Sequence, residues 1–358
     1  MYDLEYNFYS IIVLWRVLNS ASHSITIDGA AKISFSPLSL ISLSPIMAAV
    51  APKLMHAVQY NCYGGGASGL KHVEVPFPTP KKDEVVLKLE AASLNPSDWK
   101  IQKGILWPVF PGKLPHIPVN DVSGEVIEAG QGVKKFKEGE KVVALLNYFN
   151  GGGLAEYAVA SERLTVARPP EVSAAEGAGL PIAGLTALQA LTQAANIKLD
   201  GTGELKNILV TAASGGVGHY AVQLAKLGNN HVTATCGARN IDLVKSLGAD
   251  EDAVIHCATG TPWSSFEPNL SAEGKVIDIT IGPSALLTLV LNTLTFSKKQ
   301  LVPLLMNPKA ENLEYLVKLV KEGKLKTVID SRHALANVED AWGKSIDGHA
   351  IGKIIVEP

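Results

Sequence analysis

Two periodicities of apolar residues succeed one another along this chain. Before residue 170, short apolar runs of strand length are separated by glycine, asparagine and proline, as at 85–94, 122–130 and 141–145. From residue 174 to 191, and again at 311–323, apolar residues recur three and four positions apart, which is the spacing of a helix face. A final strand-like run occupies 353–356. The pattern predicts a β-rich domain, an inserted α/β domain, and a C-terminal return to the first.

The most informative local pattern is an apolar run at 208–212 that passes through small residues into a helical pattern at 219–228. A strand, a glycine-rich turn and a helix N-terminus in this order predict an anion site, because outward N–H groups and the helix dipole favour a diphosphate. The alternative is a tight turn in an ordinary strand–helix unit. The residues expected to bind a dinucleotide here are Ala213, Ser214, Gly215, Gly216, Val217 and Gly218.

The end of the next predicted strand, 231–236, indicates which dinucleotide binds. An acidic residue there would bind the ribose hydroxyls of NAD, but the sequence reads Cys236-Gly237-Ala238-Arg239-Asn240. A guanidinium donates two parallel hydrogen bonds to phosphate oxygens. The pattern therefore favours NADPH, with Cys236 and Arg239 at its 2′-phosphate. The alternative for Arg239 is a solvated surface charge.

Composition narrows the class of protein. The chain has 358 residues, 47% hydrophobic and 18% charged, which suits a soluble two-domain enzyme. A formal net charge of -2 gives no global basic field, so we expect no nucleic-acid partner. The three cysteines show neither paired spacing nor metal-ligand spacing, which is typical of a reducing compartment.

The first 46 residues differ from the rest. They hold nine serines, and the 20 residues of 33–52 carry no charge. Three prolines within that window disfavour a membrane-spanning helix. We interpret 1–46 as either a targeting extension or an over-extended reading frame.

Six segments in order resemble the medium-chain dehydrogenase/reductase superfamily, in its zinc-free quinone oxidoreductase branch. The resemblance covers residues 53–358 and implies an α/β fold, with a GroES-like β-rich catalytic domain and a doubly wound (Rossmann) nucleotide-binding domain. We expect the catalytic domain at 47–176 and 314–358 and the NADPH-binding domain at 177–313. The segments are 94–100, 117–124, 151–157, 180–187, 212–218 and 348–353.

The resemblance also implies an activity. Members of this type transfer a hydride from NADPH to the C=C bond of α,β-unsaturated carbonyls, including lipid-peroxide-derived oxylipins. The alternatives are reduction of quinones, or a cofactor-binding protein with impaired catalysis. The resemblance further implies a homodimer and peripheral association with the chloroplast inner envelope, with the cytoplasm as the alternative location.

Site residues follow from the same segments. Asn95 and Asp98, after a strand, are expected to form a polar wall, in which Asn95 donates to the carbonyl oxygen or the nicotinamide and Asp98 orients its neighbours. The alternative for Asn95-Pro96 is a structural turn. The resemblance implies that Thr186 lies near the nicotinamide ribose or the phosphate of the cofactor, its alternative being a helix N-cap, and that Lys353 contacts the cofactor. No zinc is expected, because the ligand positions of zinc-dependent members hold Asn95 and Asn120-Asp121.

The sequence departs from the family after Glu251. There the family has a further strand and crossover helix, whereas this chain passes directly into the strand expected at 252–258. Parallel strands need a crossover of a dozen or more residues. Either a helix over 240–247 serves as the crossover and the sheet lacks one edge strand, or the fold is damaged, as in an exon-skipped product. In both cases we expect weakened NADPH binding.

Overall fold

The structure is a computed structural model that describes residues 53–105, 113–237, 254–258, 262–270, 274–280 and 299–358. Its strands are β1 Leu54–Gln59, β2 Lys71–Pro76, β3 Glu84–Leu94, β4 Asp121–Ala129, β5 Lys141–Leu145, β6 Tyr157–Ser161, β7 Thr165–Ala167, β8 Asn207–Val210, β9 His231–Ala234, β10 Ile255–His256, β11 Lys275–Asp278, β12 Gln300–Pro303, β13 Ile329–Ala334 and β14 Lys353–Glu357. Its α-helices are α1 Pro96–Gln102, α2 Ala174–Gly179, α3 Pro181–Gln189, α4 Gly218–Leu227, α5 Ala310–Lys321 and α6 Val338–Asp347.

The first domain is built on a seven-stranded sheet in the order β13-β14-β3-β4-β5-β7, with β6 also pairing with β3. At the end of β3, Ser93 lies opposite Asp121 of β4 and Leu94 lies opposite Ile354 of β14. The register therefore brings the end of β3 and the beginnings of β4 and β14 to one place. The C-terminal strand joins this sheet, which confirms the predicted GroES-like domain with a returning C-terminus.

The second sheet is parallel and has the order β12-β11-β10-β8-β9 among the described residues. Ile255 of β10 lies between Val210 of β8 and Ile277 of β11. The strand after the predicted gap therefore enters the sheet beside the glycine-loop strand. This confirms the doubly wound nucleotide-binding fold.

Strand β9 is where the predicted gap bears on this sheet. Within the part of the chain that the structure describes, β9 has one neighbour, β8, and no strand lies beyond it. This arrangement is the one expected if a strand is missing from that edge. The helix expected over 240–247 lies outside the described residues.

Helices α3 and α5 belong to an apolar core that contains residues of both sheets. Leu316 and Val317 of α5 are buried in the same apolar core as Leu185 of α3 and Val210 of β8. The predicted domain boundaries, after residues 176 and 313, fall inside α2 and α5, so the division remains a prediction. A boundary after Lys321 would keep α5 whole.

Among the described residues, no helix has the length and apolarity needed to cross a bilayer. The serine-rich extension at 1–46 and the uncharged window at 33–52 lie outside the described residues.

Candidate functional site

The glycine loop lies between β8 and α4 and is shaped by one unusual backbone conformation. Ala212 adopts a φ of 48°, in the left-handed region that non-glycine residues rarely enter. The Gly215 N–H donates to the Ala212 carbonyl oxygen at 2.9 Å, which closes the turn. A Cβ on Gly218 would lie 2.7 Å from the Ala213 Cα, so only glycine lets α4 begin this close to the strand.

Gly216 is half-buried and lies beside the residues that lead into β14. A Cβ on Gly216 would meet only the Gly352 carbonyl oxygen and the Lys353 Cδ, both at 3.5 Å. The Gly352 N–H donates to the Ser214 carbonyl oxygen at 2.8 Å, so the start of β14 is hydrogen-bonded to the loop. The loop therefore offers an open backbone surface, a helix N-terminus and an adjacent lysine, which together fit a dinucleotide diphosphate.

The end of β9 lies against this loop. The Ala213 N–H donates to the Thr235 carbonyl oxygen at 2.9 Å, so Cys236 follows directly beside the loop. Cys236 is half-buried, and burial raises the pKa of its thiol. Arg239, expected at the 2′-phosphate, lies outside the described residues.

Asn95 lies at the centre of a buried polar cluster. Its Nδ2 donates to the Asp121 Oδ2 at 2.9 Å and to the Ser93 carbonyl oxygen at 3.3 Å. Its Oδ1 accepts from the Lys353 Nζ at 2.6 Å. Both amide hydrogens thus have acceptors within the protein, and the carboxamide is held in one orientation. The geometry gives Asn95 a holding role in place of the expected donation to a ligand.

Asp98 and Asp121 supply the negative charge of this cluster. The Asp98 Oδ2 accepts from the Asn95 N–H at 2.7 Å, which caps α1. The Asp121 carboxylate accepts from the Ile182 N–H, with distances of 3.2 and 3.1 Å to its two oxygens. Ile182 is in the first turn of α3, where a carboxylate interacts favourably with the helix dipole.

Lys353 supplies the positive charge. Its Nζ donates to Asn95 and also to the Leu94 carbonyl oxygen at 3.1 Å, and the residue is 2% exposed. Burial lowers the pKa of Lys353, whereas Asp121 and Asp98 raise it. The two carboxylates therefore help this buried ammonium to keep its proton.

Burial shifts the pKa values of the two carboxyl groups upward, opposite to its effect on Lys353. Burial raises the pKa of Asp98 to about 7 and that of Asp121 to about 6, and Asp121 adds to the shift of Asp98. Lys353 lowers both values. Two carboxyl groups share one ammonium in a buried site, so one of them tends to hold a proton near neutral pH.

Thr186 lies inside α3 and is buried. Its Oγ1 donates to the Ile182 carbonyl oxygen at 2.7 Å, one turn earlier in the helix. The alternative interpretation as an N-cap is wrong, because the helix begins five residues earlier at Pro181. Asp121 accepts from the N–H of Ile182 and Thr186 donates to the carbonyl oxygen of the same residue, so Thr186 is connected to the cluster through Ile182.

Two tyrosines lie close enough to the carboxylates to feel their charge. Tyr60 packs its ring 5.3 Å from that of His116, and burial raises its pKa, with Asp98 contributing. Burial also raises the pKa of the half-buried Tyr148, with further contributions from Asp121 and Asp98. Both phenols are therefore neutral at physiological pH.

His219, in the first turn of α4, is fully buried. Its Nδ1 lies 2.9 Å from the Gly215 carbonyl oxygen and its ring is 3.9 Å from that of Tyr220. Burial lowers its pKa to about 4, so the ring is neutral at physiological pH. Its contact with the Gly215 carbonyl oxygen gives it a structural role at the glycine loop.

Sequence reasoning missed Asp121 and Ile182. Asp121 belongs to the segment 117–124, and it is a charge directly before the apolar run that begins at Val122, which the pattern predicts to be a buried strand. A buried charge needs partners, and this signal marks Asp121 as a candidate from the sequence alone.

Comparisons with known proteins agree with this fold and site. The alcohol dehydrogenase GroES-like domain family matches residues 81–170, and the zinc-binding dehydrogenase family matches residues 227–356. The chloroplast envelope quinone oxidoreductase homolog of Arabidopsis thaliana is 68% identical over 329 residues, covering 86% of this chain and 100% of the relative. The NADPH-dependent alkenal/one oxidoreductase of the same plant is 32% identical over 355 residues, 91% of this chain and 86% of the relative.

Among solved structures, the quinone oxidoreductase from Coxiella burnetii has a TM-score of 0.76 at 32% identity, over 86% of this chain and 100% of that chain. The alignment with the A. thaliana homolog has 329 positions, whereas 86% of 358 residues is about 308. This chain therefore lacks a residue at about 21 aligned positions. That deficit has the size of the strand and crossover predicted to be absent after Glu251.

One matching family is named for zinc, but the donor set here does not fit that metal. Zinc binds thiolate and imidazole ligands, whereas this cluster contains the Asn95 carboxamide, the Asp121 carboxylate bound to α3 and the Lys353 ammonium. The fixed ammonium would also repel a second cation in the same buried space. Within the described ranges, no group of three or more His, Cys, Asp or Glu residues is arranged to hold a metal ion.

The fold, the glycine loop and these relatives lead to one assignment. The sheet order is that of an NAD(P)-binding dehydrogenase domain joined to a GroES-like domain, and the relatives of high identity span the described chain. The chain is an oxidoreductase that belongs to the medium-chain dehydrogenase/reductase superfamily.

Proposed function

We propose that this protein uses NADPH to reduce the C=C bond of α,β-unsaturated carbonyls. The observation that supports it best is the junction of the glycine loop with the buried polar cluster, through Gly352 and Lys353. A cofactor bound on the loop would extend its nicotinamide toward Asn95 and Lys353. The likeness to the alkenal/one oxidoreductase of A. thaliana favours the same substrate class.

The cofactor contacts are proposed as follows. The backbone of residues 213–218 binds the diphosphate, and Thr186 and Lys353 contact the nicotinamide half. Cys236 and Arg239 bind the adenosine half, where Arg239 pairs with the 2′-phosphate and so selects NADPH over NADH. Replacement of Arg239 by alanine is expected to raise the NADPH dissociation constant at least tenfold and to leave that of NADH within twofold. Equal losses for both cofactors would contradict this assignment.

Bound NADPH supplies a hydride to the β-carbon of the substrate. The polypeptide then has to hold the substrate against the cofactor, stabilise the negative charge on the carbonyl oxygen and exclude competing water. Asn95 and Asp98 contribute a rigid polar wall, because each is hydrogen-bonded within the cluster. Water supplies the proton that completes the reduction.

The assay compares NADPH oxidation with a short enone, a long-chain enone and a quinone, and identifies the products by mass spectrometry. We expect a saturated carbonyl as the product and a higher kcat/KM for enones than for quinones. Protein that binds NADPH but oxidises it with none of these acceptors would overturn the proposal and favour a non-catalytic cofactor-binding protein.

Quinone reduction is the second candidate. The relatives at 68% and 66% identity are named quinone oxidoreductase homologs, which favours it more directly than any contact in the structure. The same assay separates the two activities, because a quinone takes up a hydride and a proton to give a hydroquinone, whereas an enone takes them up to give a saturated carbonyl.

Thr186 offers a test of the nicotinamide contact with a matched control. Thr192 also donates its hydroxyl to a carbonyl one turn earlier, that of Leu188, at 2.8 Å. We expect Thr186→Val to raise the NADPH dissociation constant several-fold, while Thr192→Val leaves it unchanged. Equal effects would assign both hydroxyls to the helix alone.

Location and assembly are proposed from relatives. Three relatives at 64% to 68% identity carry chloroplast names, so we propose a chloroplast location with peripheral membrane association. The basic segment 318–326 gives little support for membrane binding, because Lys318 and Lys324 pair with Glu322, and Lys321 pairs with Glu171. We also propose a homodimer, which the native mass in solution tests.

The gap after Glu251 is proposed to weaken cofactor binding. An inserted segment of about 21 residues taken from the A. thaliana homolog restores the aligned length. We expect the restored chain to bind NADPH more tightly than this one. Equal affinities would show that the shortened edge of the sheet is not part of the site.

A further inference from the structure

Lys353 stands out among the buried charges because its ammonium is held from several sides. Its Nζ donates to the Leu94 carbonyl oxygen and to the Asn95 Oδ1. Within the described residues these are its two hydrogen-bond acceptors, whereas an ammonium carries three hydrogens. One N–H of a buried cation is thus left for a group that binds here.

The surrounding residues fix this ammonium in place. Asn95 is itself held by Asp121 through its Nδ2, so the Oδ1 that accepts from Lys353 has little freedom to rotate. Asp121 in turn is bound to the N–H of Ile182 in α3. The cluster therefore positions Lys353 before any ligand arrives, and a preorganised charge of this kind loses little energy to reorganisation during a reaction.

The side chain of Lys353 also lies next to the glycine loop. The Lys353 Cδ lies 3.5 Å from the point that a Gly216 Cβ would occupy, so the lysine side chain passes directly beside the loop. Its neighbour Gly352 is hydrogen-bonded to Ser214 of the loop. A dinucleotide whose diphosphate binds the loop would therefore lie beside the Lys353 side chain, whose Nζ reaches on to Asn95.

We propose that Lys353 is the electrophile of the reaction, whose ammonium hydrogen-bonds the carbonyl oxygen of the substrate and stabilises the enolate formed by hydride transfer. This rests on the proposed reductase function. The hydride and its electron pair form the new bond at the β-carbon, and the C=C electrons move to give a C–O⁻ enolate. The α-carbon then takes a proton from water, NADPH becomes NADP⁺, and Lys353 keeps its proton throughout.

The test uses Lys353→Met, which retains most of the side-chain length without charge, and Lys353→Arg, which retains the charge. The control is Lys206→Met. Lys206 is also partly buried, and its Nζ donates to the Ala195 carbonyl oxygen at 2.7 Å, away from the cluster. For Lys353→Met we expect kcat to fall about 100-fold to 1000-fold, the range seen when one oxyanion donor is removed. Lys353→Arg should recover part of that loss, and Lys206→Met should leave kcat within threefold.

A second readout needs no turnover. In the complex with NADP⁺, a nitrophenol whose absorbance reports its ionisation serves as a stable oxyanion mimic. Wild-type protein and Lys206→Met should bind it as the phenolate. Lys353→Met should bind the neutral phenol instead, and its affinity for the phenolate should be at least tenfold weaker than that of wild type.

The outcomes distinguish this inference from the proposed function. If wild-type protein reduces enones but Lys353→Met changes only the NADPH dissociation constant and keeps kcat and phenolate binding, Lys353 is a cofactor contact and the inference is overturned. If wild-type protein reduces no enone or quinone, the proposed function fails instead. Thermal unfolding and NADPH binding of each variant separate these results from a failure to fold.

Discussion

Asp98→Asn tests the charge balance of the buried cluster through folding stability. Wild-type protein places two carboxyl groups, Asp98 and Asp121, beside one ammonium, Lys353, with all three residues buried. Burial raises the pKa of Asp98 to about 7 from the usual 3.8. The asparagine has a similar shape and its carbonyl oxygen can still accept from the Asn95 N–H, but it removes the excess negative charge.

The direction of the stability change follows from proton binding by Asp98. The native Asp98 binds its proton more tightly than the unfolded chain does, so Asp98 costs stability progressively as the pH rises from about 4 to about 7. At 1.36 kcal/mol for each pKa unit, the full cost above pH 7 is about 4 kcal/mol. Asp98→Asn should therefore be more stable than wild type at pH 8, and the difference should shrink toward pH 4.

The shifted pKa of His219 changes folding stability with pH in the opposite direction, so its contribution has to be separated from that of Asp98. Burial lowers its pKa to about 4 from 6.5, so its contribution is present above pH 6.5 and is lost as the pH falls toward 4. Because His219 is present in both proteins, its contribution cancels in the difference between them. Asp121 interacts with Asp98, so the difference curve reports the loss of the Asp98 carboxyl group together with its interaction with Asp121.

The assay is urea-induced unfolding followed by tryptophan fluorescence at intervals between pH 4.5 and pH 8, together with NADPH affinity and kcat at each pH. A difference of several kcal/mol that develops between pH 5 and pH 7 is the expected result. Parallel curves for the two proteins across this range would refute the claim that Asp98 holds a proton in the folded state. Such a result would also remove the physical basis for treating the cluster as a functional charge arrangement.

Three further variants test separate parts of the structure. Gly218→Ala places a Cβ 2.7 Å from the Ala213 Cα and should lower both thermal stability and NADPH affinity, measured by thermal unfolding and fluorescence titration. Gly216→Ala makes only ordinary 3.5 Å contacts, so it should keep the thermal stability and lose NADPH affinity alone; a drop in its melting temperature as large as that of Gly218→Ala would contradict this. Gln102→Leu removes the acceptor of the buried Trp342 Nε1–H, at 3.0 Å, and should cost about 1–3 kcal/mol in urea unfolding without changing kcat.

The glycine loop could be predicted from the sequence because all its determinants are local. A strand, the small residues 213–218 and a helix follow one another directly, and each can be recognised from its own short stretch of sequence. The helix observed at Gly218–Leu227 lies within one residue of the prediction. The short strands β3, β4 and β5 were predictable for the same reason, since alternation and turn residues act over short stretches.

The polar cluster could not be assembled in the same way. The hydrogen bond between Lys353 and Asn95 joins residues 258 positions apart, and that between Asn95 and Asp121 joins residues 26 apart. These meetings depend on the register of β3 with β4 and β14, which no local pattern encodes. The resemblance identified Asn95, Asp98 and Lys353 as site residues, but it did not indicate that they hold one another.

The cluster is better explained by chemistry than by folding stability. Burial of ionised groups costs more than their mutual attraction usually returns, and an apolar replacement of a buried ion pair is often neutral or stabilising. Here the imbalance is greater, since two carboxyl groups share one ammonium and the pKa of every member is moved against its charged form. An arrangement that costs the fold stability, beside an open glycine loop and with one ammonium hydrogen unused among the described residues, is what electrostatic catalysis requires. Lys353 arrives on the last strand of the chain, so the reactive charge is assembled only when β14 has paired with β3 and the two halves have joined.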